Sequence, residues 1–414
     1  MSVIVEKPYV FVPPHRGNRW PSFIQRFRLV DFYLRRKAGV VSYECRNADR
    51  LRASLARGDG ILLAPNHCRY ADPLVLGWLS REVGRHLYSM ASWHLFNESW
   101  LDRFSIPRMG GFSVFREGVD RQSLETAIDI LIEAKRPLMV FPEGTTSRVN
   151  DALQPLLDGV LFMARAAAKR RMKEDPSRHV VIHPVAIKYV FRGDIWQWVN
   201  AALAPLEQRL SWPVDHDGAI LPRLMRIAQG MLALKEIQYF GAPQQGSLPE
   251  RRTALIERLL QSVEQLDGVS EPLAPTQVLA RVRQCRAKLS SRLLDPNTGD
   301  PDKVHLRRLA DQVDLAQQLH AYPTEYLDPQ EITDTRLLET VERMHEDFLG
   351  RPISPSPLHA IIEVGDAIQV PDAKHNRNGE DSLLKQLDQS LREMLVRLAK
   401  EARPLPHAEL IVKG

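Results

Sequence analysis

Between residues 59 and 192, short apolar runs alternate with longer amphipathic stretches. Ile61, Leu62, Leu63 and Ala64, bounded by Gly60 and Pro65, have the length and borders of a buried strand. Further strands are predicted over residues 86–91, 111–116, 138–141 and 180–189, and helices over 73–83, 93–103, 121–134 and 155–171. Strand and helix in alternation predict an α/β fold, with a mixed, largely parallel sheet flanked by helices. From about residue 195 the pattern becomes mostly helical. Two segments interrupt it and echo each other: residues 237–243 before a helix over 250–266, and residues 361–368 before a helix over 381–400. Each reads as strand, turn and closing helix. Residues 270–350 read as inserted helices with Pro-rich joints at 271–275 and 351–357, and residues 374–381 as an exposed polar loop. The chain thus divides into an N-terminal segment (1–44), a sheet-bearing domain (45–269) and a mostly helical C-terminal region (270–414) with a strand-turn-helix near 361–400.

The N-terminal segment has its own pattern. Arg16, Arg19, Arg26, Arg28, Arg35, Arg36 and Lys37 face a single acid, Asp31, between Val10 and Tyr43. Phe23, Phe27, Val30 and Leu34 fall on one helical stripe among them. A basic helix with an aromatic face suits a membrane interface, or equally the protein's own core. Leu29, Phe32 and Tyr33 fall off the stripe.

The net charge of +5 favours anionic partners without choosing among them. No nucleic-acid recognition motif accompanies the basic residues, so nucleic acid is not expected as a partner. Cys45, Cys68 and Cys285 are odd in number and far apart, with no Cys/His ligand cluster. That argues for a reducing compartment and against a disulfide framework or a metal site. Residues 1–14 lack a basic start followed by an apolar run, and no stretch of about 18 apolar residues occurs, so neither a leader nor a membrane-spanning helix is expected.

Candidate chemistry begins at Asn66-His67-Cys68-Arg69-Tyr70-Ala71-Asp72-Pro73. Asp72 and Pro73 read as the start of a helix, which puts His67 in the loop at a strand's carboxyl end. Asp72 is then placed to orient the imidazole, as a general base requires. On its own the pair also suits a loop histidine and a capping aspartate. A second segment, Phe141-Pro142-Glu143-Gly144-Thr145-Thr146-Ser147-Arg148, is a strand end followed by a tight turn, hydroxyls and an arginine. It suits an anionic head group or an ordinary strand-to-helix turn. Arg116 closes the strand over 111–116, and His183-Pro184-Val185 reads as packed strand. Cys68 directly follows His67; neighbours in a turn rarely pair, so a cysteine-dependent reaction is disfavoured.

The order and spacing of these four segments resemble the glycerolipid acyltransferase family, which includes the lysophosphatidate acyltransferases. His67 and Asp72 resemble its H-x4-D block, Phe115-Arg116 its acceptor-binding block, residues 141–145 its F-P-E-G-T block, and Pro184-Val185 its last block. The resemblance covers about residues 45–200. It implies an O-acyltransferase that moves a fatty acyl group from acyl-CoA or acyl carrier protein to a hydroxyl of a lysophospholipid or related lipid. His67 and Asp72 would be catalytic, with Arg116, Glu143, Gly144, Thr145 and Arg148 on the acceptor. It implies no cofactor, and it fits a cytoplasmic protein held peripherally on the inner face of a membrane. One departure stands out: the family's usual arginine after F-P-E-G-T is Thr146 here, with Arg148 two positions on. With the helical insertion, this keeps a second class open, a lipid-binding scaffold of the same fold without turnover.

Overall fold

The structure is a computed structural model that describes residues 7–215, 218–267, 273–323, 325–328, 330–371, 381–406 and 410. Most of the polar loop expected over 374–381 lies outside these residues, as does the start of the joint at 271–275. The chain opens with α1 (Arg19–Arg26), α2 (Leu29–Lys37), β1 (Val40–Arg46) and α3 (Ala48–Arg57). Next come β2 (Gly60–Pro65), α4 (Asp72–Glu82), β3 (Tyr88–Ser92), α5 (Trp100–Arg108), β4 (Gly111–Val114), α6 (Arg121–Glu133) and β5 (Leu138–Met139). Then follow α7 (Gly159–Glu174), β6 (Val180–Phe191), α8 (Ile195–Arg209), α9 (Ile220–Phe240), α10 (Leu248–Glu264), α11 (Val278–Leu293), α12 (Asp300–His320) and α13 (Asp334–Leu349). The chain closes with β7 (Leu358–Val364), β8 (Ile368–Gln369) and α14 (Ser382–Ala399).

The sheet runs β1-β7-β6-β2-β5-β3-β4, with β8 beside β6. The five strands from β6 to β4 are parallel. β7 is antiparallel to β6 and parallel to β1, so the sheet is mixed and largely parallel. Helices cover both faces, as a mostly parallel sheet demands. β2 is buried along its whole length. Ile61 and Leu63 join the core under α3, α4, α8 and α13, while Leu62 and Ala64 join the core under α6, α7 and α14. A third core, built from α10, α11 and α12 with the end of α9, lies away from the sheet.

Two sequence expectations are corrected. The segment 237–243 is not a strand: it finishes α9, which stops at Gly241 in the left-handed region (φ 85°). A short apolar run does not separate strand from helix by itself, and here the helical register running from Ile220 decides it. The N-terminal helix is two helices, because Arg28 takes a left-handed conformation (φ 51°) between α1 and α2. The predicted stripe is therefore cut: Leu34 is buried, whereas Phe23 and Phe27 are exposed, as are Phe32 and Tyr33 off the stripe. The strand expected near 361–368 enters the sheet. β7 pairs with both β1 and β6 inside the sheet, and α13 and α14 pack against it.

That topology makes the C-terminal region part of the sheet's core. A chain ended after residue 194 would retain all of β6 but lose β7, the strand on which β1 pairs. Such a chain is expected to show no cooperative thermal transition by circular dichroism. A sharp transition would mean the sheet closes without its inserted strand.

Candidate active site

The loops after β2 and β5 lie side by side because those strands are parallel neighbours. Asn66 fixes the first loop by extending the sheet with its side chain. Its Oδ1 accepts from the Ile187 N–H (2.7 Å) and its Nδ2 donates to the Ile187 carbonyl (3.1 Å). His67 follows, with a side chain 16% exposed. Its Nδ1 lies 2.9 Å from Asp72 Oδ2.

Asp72 opens α4 but does not serve as a simple cap. It is fully buried, and its carboxylate gathers donors from separate elements. Oδ2 meets His67 and accepts the Arg69 N–H at 2.9 Å, and Oδ1 accepts the Tyr189 hydroxyl at 2.6 Å. A buried carboxylate is costly unless its lone pairs are filled, and these are. The arrangement holds the imidazole with Nδ1 toward the carboxylate. Phe141 stacks on the ring at 4.0 Å between centroids, and Nε2 faces the Thr146 hydroxyl at 3.0 Å.

Glu143 and Arg148, expected on an acceptor, are turned to internal work. Glu143 is 2% exposed. One carboxylate oxygen accepts the His67 N–H (2.6 Å) and the other the Gln154 N–H (2.8 Å), so it staples the two loops together. Burial pushes its carboxyl up to about 8, against the pull of those two N–H groups. Gly144 turns with φ 68°, where a Cβ would stand 2.5 Å from Leu157 Cδ1. Thr145 Oγ1 accepts a hydrogen bond from Gln317 Nε2 of α12 at 2.8 Å. Arg148 is mostly buried, pairs with Glu346 at 2.5 Å and covers the Tyr70 ring. Charged residues in a motif invite a ligand-facing reading; here backbone N–H groups and a facing acid claim them first.

Arg116 is different. Among the described residues it has neither a hydrogen bond nor an ion pair in the structure, and burial followed by the charge of Arg286 lowers its pKa to about 10. Arg283, also on α11, adds to that repulsion. His94, on the loop after β3, is held down to about 4 by burial and by Arg116 and Arg286. Arg286 has an acid in contact, Asp314 at 2.5 Å, and His94 Nε2 lies 3.9 Å from Glu98. Glu117 and Asp314 act on Arg116 in the opposite sense, and a guanidinium without a direct partner keeps its donors available to an anion. The inserted helices thus reach the same end of the sheet as the β4 loop.

Sequence reasoning missed two contributors. Tyr189 read only as packed strand. α13 read as one more inserted helix, yet residues 336, 339, 342, 343 and 346 form a charged stripe that grips both loops. Arg336 Nε donates to Asp151 (3.1 Å), and Glu339 accepts the Asn150 N–H (3.1 Å) and the Tyr326 hydroxyl (2.5 Å). Glu342 takes the Arg69 guanidinium through both oxygens (2.9 and 2.7 Å), and Arg343 donates to the Ser147 carbonyl (2.7 Å). Asp151 also pairs with Lys188, fully buried in β6.

The Arg69–Glu342 pair leaves each side chain only 12% exposed. Removing one partner strands a buried charge, so Glu342→Ala is expected to cost about 3–5 kcal/mol of stability, whereas replacing both residues by apolar ones costs much less. Guanidinium unfolding of the single and double variants measures this. A loss under about 1 kcal/mol in the single variant would mean that water reaches the pair.

No curated protein matches the chain. The model of the Acyltransferase family matches residues 42–188, from β1 to within β6, a span that holds His67, Asp72, Arg116 and the Glu143 turn. Residues 42–188 thus resemble the Acyltransferase family, and the match supports acyl transfer in general.

Proposed function

We propose that the protein transfers a fatty acyl group from a thioester donor, acyl-CoA or acyl carrier protein, to a hydroxyl of a lysophospholipid or related lipid alcohol. The observation that carries this reading is the state of His67. Its Nδ1 is held 2.9 Å from the buried Asp72, and its Nε2 lies within hydrogen-bond reach of a hydroxyl. An acceptor alcohol is a weak nucleophile until its proton is taken as it attacks. His67 takes that proton at Nε2 and Asp72 stabilises the imidazolium, an effect of about 10²–10⁴-fold. The proton then goes to the departing thiolate. Arg116, with Arg283 and Arg286 beside it, attracts the anionic group of a substrate, while Gly144 and Thr145 shape the approach to His67. The reaction consumes no cofactor.

His67→Ala is expected to lower acyl transfer from labelled acyl-CoA or acyl carrier protein, over a panel of lysophospholipid acceptors, by at least about 100-fold while leaving the thermal unfolding midpoint in place. Wild-type transfer in that variant would end this reading.

The same proposal places the protein on the inner, cytoplasmic face of a membrane, as a peripheral guest. No helix among the described residues is long and apolar enough to cross a membrane. An aromatic chain runs instead from Phe104 of α5 through Trp20 and Phe23 to Phe27. Exposed Phe32, Tyr33 and Trp100 add to the apolar surface of these helices, with arginines around them. Apolar rings among cations match an anionic lipid surface. Phe27→Asp with Phe32→Asp is expected to cut co-sedimentation with anionic vesicles by at least about tenfold, since each buried phenyl contributes roughly 1.5–3 kcal/mol. Undiminished vesicle binding would move the contact elsewhere on the surface.

A further inference from the structure

The chain before α1 is fastened to the edge of the sheet, where β4 is the last strand. The Ser113 N–H of β4 donates to the Val12 carbonyl at 3.0 Å, and Ser113 Oγ accepts the Val12 N–H at 2.8 Å. The His15 N–H donates to the Pro107 carbonyl at 2.9 Å. Arg136, buried in the joint before β5, then donates to the Arg16 and Gly17 carbonyls (3.2 and 2.8 Å) and to Asn18. At the near end of this strap stands Tyr9. Its ring stacks on Phe115 at 5.3 Å between centroids and meets Trp93 edge-on at 5.4 Å. Phe115 precedes Arg116, and Trp93 precedes His94. One side chain thus braces the neighbours of two residues that face the anion site. The Tyr9 hydroxyl lies 3.0 Å from Ser113 Oγ and donates to Asp120 Oδ2. The same oxygen accepts the Phe115 N–H at 3.0 Å, while Asp120 Oδ1 accepts the Ser123 N–H at 3.0 Å to cap α6. This buried carboxylate therefore holds both ends of the turn that carries Arg116, and it stays in place only while its donors do. Burial, followed by the bond to Asp120, raises the pKa of Tyr9, so its hydroxyl keeps the proton it donates. Among the described residues Arg116 has no hydrogen bond or ion pair of its own, so its backbone decides where the guanidinium stands.

We propose that Tyr9 is a positioning residue for the anion site: through Asp120 and Phe115 it sets the turn that carries Arg116, so that an anionic acceptor head group finds the guanidinium already in place. The proposal rests on the role given to Arg116 above. Tyr9 lies outside the span that matches the family, which begins at residue 42, so this chain supplies the brace from its own N-terminal segment. A site held ready before the ligand arrives spends less of its binding energy on ordering itself. Tyr9 therefore acts on acceptor binding and leaves proton transfer at His67 unchanged.

The test compares Tyr9→Phe with the wild-type full chain, because phenylalanine keeps both ring contacts and removes only the hydroxyl. Acyl transfer from palmitoyl-CoA to lysophosphatidate gives KM and kcat, and calorimetry with hexanoyl-lysophosphatidate gives a Kd that needs no turnover. Tyr9→Phe is expected to raise the acceptor KM and the Kd about tenfold, the effect of one lost hydrogen bond to a charged group, with kcat and the KM for palmitoyl-CoA unchanged. In an Arg116→Ala background the same substitution should change neither, since no guanidinium is left to place, whereas a merely structural role would act in both backgrounds. Asp120→Asn keeps the cap on Ser123 but turns an amide toward the Phe115 N–H. It should reproduce Tyr9→Phe, and it carries the test if thermal unfolding shows Tyr9→Phe to be unstable. Wild-type KM and Kd in Tyr9→Phe, an equal loss in the Arg116→Ala background, a rise in the KM for palmitoyl-CoA instead, or a wild-type chain that binds no hexanoyl-lysophosphatidate each overturns the proposal. Binding that responds as expected in a chain without acyl transfer keeps the positioning role and removes the acyl-transfer reading. Unaltered binding beside transfer that is lost in His67→Ala does the reverse.

Discussion

The carboxylate of Asp72 must be paid for with hydrogen bonds, and the donors it finds tie the molecule together. They come from the loop after β2, from the Arg69 backbone, and from Tyr189 far along β6. A fully buried anion tolerates little displacement of its donors, because each lost bond leaves a desolvated charge. The position of the imidazole is thereby a property of the sheet's centre as well as of a surface loop. Tyr189 reaches Asp72 because Pro65 is registered with Val185, which lets β6 extend past the end of β2. The Asn66 side chain fills the gap this leaves in the ladder.

Around that centre sit two rings of restraint with different origins. The inner one belongs to the span that matches the family: Glu143 joins the His67 loop to the segment after the β5 turn by accepting the His67 and Gln154 N–H groups. The outer one comes from beyond it. α13 presents acids and arginines to both loops, and each of Arg336, Glu339, Glu342, Arg343 and Glu346 holds a loop residue between Arg69 and Asp151. Paired charges at low exposure add geometric specificity more dependably than stability. The N-terminal helices and α5 solve another problem, presenting aromatic rings outward from a domain whose sheet is otherwise covered on both faces.

Much of this was legible in the sequence, and the failures have physical causes. The loops that carry His67 and Glu143 were visible because turn chemistry is local: a short apolar run, then Pro or Gly, then capping residues. The strand at Leu358–Val364 was visible for the same reason, but its place between β1 and β6 was not, since strand pairing depends on residues hundreds of positions away. β1 itself escaped notice because only Val40 along it is buried, which leaves a weak apolar pattern. The stripe on α13 read as solvated helix because paired burial of charges cannot be seen without the partner. Glu143 and Arg148 were read toward a ligand because the backbone donors and the acid that claim them lie in other segments.

The insertion of β7 also governs how the chain is made. Val40 of β1 pairs with Leu358 of β7, so 318 positions separate them. At ribosomal rates of about 5–20 residues per second, β1 waits roughly 15–60 s for its partner to emerge. Through that interval its backbone donors and acceptors, and one edge of β6, are exposed to other chains as open sheet edges. The half-polar face of β1, with Ser42, Glu44 and Arg46, is suited to that wait, since charges on a nascent edge discourage pairing with a stranger. The features that made β1 faint as a strand are the ones that keep it soluble until its proper neighbour arrives.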